Sequence, residues 1–388
     1  MLQENAKSGG AVFRGEVRNN HNIAIPEFVS LCGRLSVFMA RTSERNAALE
    51  LGKEYPAPGE PEQIREIVAL LSRFMERTYP PGNRPARRQA HTKPHGLVTA
   101  EFQVETNLPA GAQCGVFKPG AKYQAWIRFS SGSSFLQSDK KLDVRGMAIK
   151  LMGVEGEKLL EDERFEKTQD FLLIDTPGFL SPNAADYLTF TRAIVRWGET
   201  LGLARYILGQ PLQRMRDVYK VLRPASEMTN PLTGRYTSTV PYKLGSPAVH
   251  YAAKSWDAPQ PRAASSSPDF FREAMVEHLK RADAHFDFMI QFQTDPVKMP
   301  VEDATVVWDA AESPYIKVAT IRIPMQVFDT DRRFRFAENL SFTPWHSLPE
   351  HQPLGVINRI RKAAYEAMSR RRHDMNDVPR KEPVSWDD

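Results

Sequence analysis

Apolar residues recur at helical spacing near the start of the chain. Pro61 opens the segment EQIREIVALLSRFMERTY, and a proline in the first turn with acidic residues beside it favours a helix start. The apolar residues of this segment fall three or four positions apart, the period of a helix that buries one face; they are Ile64, Ile67, Val68, Leu71, Phe74 and Met75. We predict a helix here that packs against the core.

Short β-rich segments begin at about Gly96 and are separated by turn residues. The first group is AEFQVE, QCGVF, KYQAWIRFSS, VRGMAIKLMG and QDFLLIDT; the second is STVPYKLG, AVHYAAKSW, FDFMIQFQT, ATVVWDA and YIKVATIRIPM. Residues 183–222 interrupt them with a helical pattern. About eight to ten strands with one helical insertion favour a closed antiparallel β-barrel, because closure removes exposed sheet edges. The predicted fold class is therefore α+β.

The chain has two polar features that suggest chemistry, and the first is the closing helix. Residues 357–373 read INRIRKAAYEAMSRRRH, a run of good helix formers. Arg361 and Tyr365 are four residues apart and share a helix face, and Arg372 returns to that face. A tyrosine can ligate iron only as a phenolate, and a neighbouring guanidinium lowers the pKa of the phenol. The alternative is a solvated basic face with a tyrosine that packs by its ring.

The second feature is a set of polar residues around the first strands. His91 lies in a basic, proline-rich linker, where it is either a proton shuttle or simply solvated. Arg128 stands within an apolar strand and needs an anionic partner, either a protein carboxylate or the carboxylate of a ligand. Gly146, in the segment Asp143-Val-Arg145-Gly146, marks a bulge or a close backbone approach.

Composition limits the class of protein. Of 388 residues, 41% are hydrophobic and 26% are charged, the balance of a soluble globular protein. No apolar run reaches the roughly 18 residues of a membrane span, and the first residues lack the apolar stretch of a secretory signal. Two cysteines, Cys32 and Cys114, exclude a disulfide scaffold and a multi-cysteine zinc site. We expect a cytoplasmic protein. The net charge of +5 permits an anionic ligand but does not indicate nucleic-acid binding.

Five short motifs occur in an order that resembles the haem catalase family. They are Arg-x-x-His at residues 88–91, Arg-Phe-Ser at 128–130, Asp-x-Arg-Gly at 143–146, Asp-Thr-Pro at 175–177 and Arg-x-x-x-Tyr-x-x-x-x-Arg at 361–370. The resemblance covers residues 80–375 and implies a short catalase-like haem protein without the C-terminal helical domain of large catalases. It implies an N-terminal arm and helix (1–79), a barrel domain that binds haem (80–335) and a wrapping segment with the haem-ligand helix (336–388).

The resemblance implies a role for each matching residue. Tyr365 would ligate the ferric iron of haem b, and Arg361 would hold its phenolate charged. Three arginines would bind the haem propionates, since a forked donor suits a carboxylate; they are Arg88, Arg128 and Arg372. On the distal side the family places an acid–base histidine, a serine that fixes its tautomer and an aromatic residue over the haem; these would be His91, Ser130 and Tyr187.

The distal side also departs from the family pattern. A gapless pairing places Ile174 where catalases have the distal asparagine, and Asp175 follows it. As a catalytic residue, Asp175 would replace the asparagine by hydrogen bonding to a peroxide. The alternative is that its carboxylate repels an anionic peroxide. Ala90 and Leu180 are smaller or less aromatic than their family counterparts. We therefore expect slow dismutation of hydrogen peroxide and better turnover of organic or fatty-acid hydroperoxides.

Three functions follow from the resemblance and its departures. The first is a haem-dependent enzyme that cleaves the O–O bond of hydrogen peroxide or an organic hydroperoxide, as a catalase or peroxidase. The second is a fatty-acid hydroperoxide isomerase similar to allene oxide synthase. The third is a haem carrier or sensor without catalysis, and a barrel with no cofactor is the plainest alternative. We expect no nucleic-acid partner and no membrane span. The proline-containing arm either joins subunits into a homo-oligomer, as in catalases, or folds over its own barrel.

Overall fold

Eight antiparallel strands close into a barrel in the computed structural model, which describes residues 49–222, 228–258 and 267–387. The barrel order is β5-β4-β3-β2-β1-β9-β8-β7, closed by pairing between β5 and β7, and the short β6 extends the sheet beside β7. The strands are β1 Pro94–Val104, β2 Lys122–Ser131, β3 Arg145–Met152, β4 Thr168–Ile174, β5 Arg235–Thr237, β6 Tyr242–Lys243, β7 Ala248–Ser255, β8 Ala284–Phe292 and β9 Ile316–Ile323. The predicted α+β barrel is confirmed.

Six α-helices accompany the barrel among the described residues. They are α1 Glu60–Thr78, α2 Ala184–Leu208, α3 Leu212–Leu222, α4 Phe270–Leu279, α5 Asp331–Asn339 and α6 Val356–Asn376. Helix α2 is broken at Gly198, which has a φ of 74°. The predicted core-facing helix is α1, the helical insertion is α2 with α3, and the closing helix is α6. Of the predicted N-terminal arm and helix (1–79), residues 1–48 lie outside the described residues.

Two predicted strands are wrong. Residues 113–117 form a turn after a short 3-10 helix, because Gly115 has a φ of 57° that no strand accommodates. Residues 304–310 are held in a turn by Asp303, whose carboxylate accepts hydrogen bonds from the Thr305 amide at 3.0 Å and its hydroxyl at 2.6 Å. Local side-chain bonds of this kind compete with sheet pairing.

Aromatic rings fill the inside of the barrel. The Phe171 ring lies 4.9 Å from that of Tyr251 and 5.1 Å from that of Phe288, measured between centroids. Successive strand residues point to opposite faces, so when Ile127 and Phe129 enter this core, Arg128 and Ser130 point outward. Any ligand of these polar residues therefore binds outside the barrel.

A buried ion network fastens the last residues of the chain to the barrel. Lys150 on β3 is fully buried, and its Nζ lies 2.7 Å from Asp170 Oδ1 and 2.6 Å from Glu382 Oε2. Asp170 Oδ2 also accepts the Thr343 amide at 2.9 Å. Burial alone would lower the pKa of Lys150, but the two carboxylates outweigh it and the pKa is raised. The lysine therefore stays charged and holds two segments that precede and follow α6.

Helix α6 is fixed at its start by a second ion cluster. The Arg359 guanidinium lies 2.5 Å from a carboxylate oxygen of Glu60 and 2.7 Å from one of Glu302. Burial of the arginine is outweighed by these carboxylates, so the pKa of Arg359 is raised. No helix among the described residues is both long and apolar enough to cross a membrane.

Replacing Lys150 by methionine should destabilise the fold strongly. The change leaves Asp170 and Glu382 as buried carboxylates without their cation, and breaking such a pair costs about 3–5 kcal/mol. The free energy of unfolding in urea measures the loss. Lys167→Met is the matched control, because Lys167 and Glu155 form an exposed pair at 2.9 Å and should contribute little. Equal small effects of the two changes would contradict a stabilising role for the network.

Candidate functional site

His91 is held at the outer face of the barrel by a close backbone approach. It precedes β1 with a left-handed backbone, φ 56°, and its amide donates to the Gly132 carbonyl at 3.0 Å. Its ring rests on Gly146 of β3, where an added Cβ would lie 2.6 Å from the ring Cε1. Only glycine fits at this position without moving the ring. The expectation of a close approach at Gly146 is confirmed, and its partner is the histidine.

Ser130 orients the His91 ring. Its Oγ lies 3.1 Å from His91 Nδ1, so the hydroxyl occupies one ring nitrogen and leaves Nε2 for another partner. The histidine backbone is fixed as well, because its carbonyl accepts a hydrogen bond from Arg128 Nη2 at 2.8 Å. Sequence reasoning placed these three residues together, and the structure does the same.

The His91 imidazole is a neutral base at physiological pH. Burial, followed by the positive charges of nearby arginines, lowers the pKa of His91 to about 3; the arginines are Arg128, Arg361, Arg88 and Arg145. Desolvation and like charge both disfavour the imidazolium. The ring can therefore accept a proton over the whole physiological range, and it returns that proton readily because the charged form is unfavourable here.

Ile174 lies on the same face of the sheet as the histidine. Gly146 pairs with Ser130 on one side and with Ile174 on the other, and directly opposed residues of neighbouring strands point to the same face. Ile174 therefore places an apolar side chain on the sheet face that also carries the Ser130 hydroxyl. No amide donor comes from this position, as the sequence pairing with catalases indicated.

Asp175 belongs to the opposite face. Its Oδ1 accepts the Arg145 amide at 2.7 Å, and its buried Oδ2 has no hydrogen-bond partner among the described residues. Burial raises the pKa of Asp175 to about 7, although the Arg145 amide and charge favour ionisation. The structure does not bring this carboxyl to the face that holds His91, and its catalytic role stays a prediction.

Helix α6 carries two of the predicted site residues, Arg361 and Tyr365. The positive charge of Arg361 acts on both His91 and Tyr187, and Tyr365 also influences Tyr187. The pKa of Tyr187 is raised to about 12, first by burial and then by Tyr365. Arg361 Nη1 is buried without a hydrogen-bond partner among the described residues, while its guanidinium lies 5.4 Å from the Phe179 ring centroid. Arg361 is therefore close enough to act on both His91 and Tyr187.

Three arginines from distant parts of the chain converge beside this space. Arg128 and Arg372 are almost fully buried and Arg88 is 13% exposed. Burial and then the charge of Arg88 hold the pKa of Arg128 well below its usual range and lower that of Arg372 to about 9. Backbone carbonyls orient them, because Arg88 and Arg372 both donate to the carbonyl of Glu338.

Glu338 supplies a carboxylate to this cluster. Its Oε1 lies 3.6 Å from Arg88 Nη1, and its charge also acts on Arg128 and Arg372. Three guanidinium groups against this carboxylate leave two positive charges uncompensated, and the buried Nε of Arg128 has no hydrogen-bond partner among the described residues. A ligand with two carboxylates would neutralise the cluster.

Two residues of the site escaped sequence reasoning. Glu338 is the only acid in the stretch 332–349, which is the one signal that could have suggested a partner for buried arginines. Tyr242 is 2% exposed, and burial raises its pKa to about 12, with Arg361 and Tyr365 as its charged neighbours. Its strand is only two residues long, so no period in the sequence marks it.

Solved structures of catalases share this architecture. A fungal catalase is 16% identical with a TM-score of 0.61, and the match covers 84% of this chain and 66% of the catalase. Catalase A from Saccharomyces cerevisiae is 20% identical with a TM-score of 0.60, covering 74% and 62%. A bacterial catalase is 16% identical with a TM-score of 0.58, covering 86% and 66%.

Replacing Asp175 by asparagine should remove a pH dependence of stability. The folded-state pKa of about 7 lies above the ordinary value of 3.8. The protonated carboxyl group therefore adds to the stability of the fold below pH 4. This contribution to stability is lost as the pH rises to 7. The amide oxygen of the D175N variant keeps an acceptor for the Arg145 amide. The free energy of unfolding of D175N, relative to the unmodified protein, should therefore increase between pH 4 and pH 8. A pH-independent difference would contradict the raised pKa.

The similarities to solved catalases concern the fold. No protein-family model and no curated protein matches the chain, and the chain spans about two thirds or less of the length of these catalases. The closed antiparallel barrel and the helices around it are nevertheless matched over most of the chain. The protein has a catalase-like fold.

Proposed function

We propose that the protein is a haem-dependent enzyme that cleaves the O–O bond of peroxides. One observation carries the proposal: His91, oriented by Ser130 over Gly146, lies against the buried Arg128, and the charge of Arg361 on the helix of Tyr365 acts on it. His91 would supply the group that moves a proton, and Tyr365 would supply an oxygen ligand for iron. The catalase-like fold supports the same class of chemistry.

The residues present fit haem. The two uncompensated charges among Arg88, Arg128 and Arg372 match two propionate carboxylates, and the orphaned Arg128 Nε is a donor for one of them. Tyr365 is the oxygen ligand suited to ferric iron, and Arg361 lies one helical turn before it on α6. When bound, ferric haem b would supply the redox-active iron that peroxide cleavage requires.

His91 moves the proton in this scheme. With Nδ1 engaged by Ser130, Nε2 takes the proton from the peroxide oxygen and returns it to the leaving oxygen, which avoids expelling a charged hydroxide or alkoxide. The low pKa of His91 makes the protonated ring a strong acid, so return of the proton to the leaving oxygen is favourable. Positioned proton transfer of this kind contributes typically about 10²- to 10⁴-fold in rate.

The distal residues favour organic hydroperoxides. The apolar side chain of Ile174 lies on the same sheet face as Ser130 and Gly146. It cannot form a hydrogen bond with hydrogen peroxide, but it can contact the hydrocarbon group of an organic hydroperoxide. Ala90, directly before His91, and Leu180 are smaller or less aromatic than the residues at the matching positions of catalases. The same pocket suits a hydroperoxide isomerase, and product analysis separates isomerisation from reduction. The cytoplasmic location and a homo-oligomer formed through the N-terminal arm stay predictions.

His91→Ala should lower peroxide turnover by about 10²- to 10⁴-fold while the haem content is kept. Steady-state kcat/KM values with hydrogen peroxide and with cumene hydroperoxide measure the effect, and the bulky peroxide should be the better substrate. His278→Ala, at a partly exposed position on α4, is the matched control. Undiminished turnover in the His91 variant would indicate a haem carrier, and fast oxygen release from hydrogen peroxide alone would contradict the substrate preference.

Tyr365→Phe should abolish stable haem binding, because the phenyl ring has no oxygen to ligate iron. Titration of the protein with haem, followed by its Soret absorption, gives the affinity without reference to turnover. Tyr219→Phe, on an exposed face of α3, should bind haem normally. Normal haem content in the Tyr365 variant would overturn the ligand assignment, and no Soret band in the unmodified protein would overturn haem binding altogether.

A further inference from the structure

Two helical segments outside the site expose large apolar side chains. On the second half of α2, Leu201 is 67% and Leu208 is 74% exposed; on α3, Leu212 is 64% and Tyr219 is 68% exposed. The members of each pair are seven residues apart and therefore share one helix face. Trp197, at the kink before this half of α2, is 44% exposed. Each helix thus carries an apolar stripe that the barrel does not cover.

Arginines accompany these stripes. The guanidinium carbons of Arg196 and Arg205 lie 5.0 Å and 5.5 Å from the ring centroid of Trp197, and Arg216 is exposed on α3. We call the exposed residues of 196–219 the α2–α3 surface. Singly exposed leucines are ordinary, but Trp197 lies beside Leu201 and both of these arginines, and apolar side chains interspersed with cations mark an interaction surface.

Acidic residues are fewer than basic ones in the sequence of this surface. Residues 196–219 contain four arginines and two acids, Asp217 and Glu199. The carboxylate of Glu199 is directed inward, where it accepts the Ser134 amide at 2.5 Å and the Ser133 hydroxyl. The charge that the surface presents is therefore positive. Apolar side chains and cations on one helix face are the combination that binds anionic lipid headgroups and the acyl chains beneath them.

We propose that the α2–α3 surface docks the protein onto an anionic membrane surface. The leucines and Trp197 would enter the boundary between headgroups and acyl chains, and the arginines would pair with lipid phosphates. A second copy of this surface is a poorer partner, because a two-fold contact would bring Arg196, Arg205 and Arg216 close to the same three arginines. The proposal concerns a surface helix pair and needs no spanning helix.

The docked surface would adjoin the loop that covers His91. Glu199 ties the second half of α2 to residues 133 and 134, and the same loop accepts the His91 and Thr92 amides. Phe135 and Leu136 of this loop join Trp197 and Leu201 in lining a cavity of about 310 Å³. If the proposed peroxide chemistry holds, the membrane would present acyl-chain hydroperoxides at this cavity. The docking itself does not depend on that chemistry.

Vesicle binding by the full chain tests the docking. Sedimentation with phosphatidylcholine vesicles, with and without phosphatidylglycerol, should show binding that requires the anionic lipid and weakens as salt screens the arginines. The double variant R196Q/R205Q should bind about thirtyfold more weakly, since each arginine near such a surface contributes about 1 kcal/mol. Leu201→Ser with Leu208→Ser should also lose binding, because the apolar contact is removed.

Phe165→Ser is the matched control. Phe165 is 79% exposed beside Arg164, but it lies in an acidic segment away from the α2–α3 surface, and its replacement should leave vesicle binding unchanged. Failure of the unmodified chain to bind, or equal binding by all variants, would overturn the proposal. So would self-association that the leucine changes abolish, because the occupant would then be a second copy of the chain. Haem content measured in parallel separates these outcomes from failure of the peroxide function.

Discussion

The burial of like charges governs the construction of the site. Arg128 and Arg372 lie almost entirely out of water within reach of Arg88, and the charge of Arg88 lowers the pKa of both. Such a cluster is costly unless anions approach it. Glu338 provides one carboxylate, and the carbonyls of His91 and Glu338 hold the guanidinium groups in place. Burial and then the arginine charges lower the pKa of His91, so the cluster and the histidine are electrostatically linked.

The closed barrel determines where that cluster can form. Because aromatic rings occupy the inside, the polar residues of β2 and β3 point to the outer face. They need a second layer to complete a pocket, and α6 supplies it. Two ion clusters, around Arg359 at the start of α6 and around Lys150 beside the tail, fasten that layer to the rest of the chain. The position of α6, which carries Tyr365, therefore depends on two ion clusters that include neither Tyr365 nor His91.

Much of this arrangement could be predicted from the sequence, for identifiable reasons. The strands follow from alternation and β-rich segments, and α1 follows from its apolar period. The residues of the site were found through the order of short motifs, which reflects long-range geometry that spacing alone cannot give. Ile174 and Asp175 are adjacent in sequence, and strand alternation explains why the structure places them on opposite faces. The close approach at Gly146 was predicted, but its partner was not.

The predictions that failed have local or long-range causes. Residues 113–117 resemble a strand because the left-handed turn at Gly115 has no apolar signature. Glu338 meets its arginine partner across 250 residues, and the pairing of one acid among many cannot be deduced from one sequence.

The contact between His91 and Gly146 has a consequence for how this fold can change function. The smallest possible side chain at position 146 would push the imidazole away from Ser130, yet it would leave the arginine cluster and the Tyr365 helix untouched. One methyl group at position 146 would therefore disturb the histidine without touching the buried charges. The two parts of the site can change independently, and a single substitution is enough to alter one of them alone.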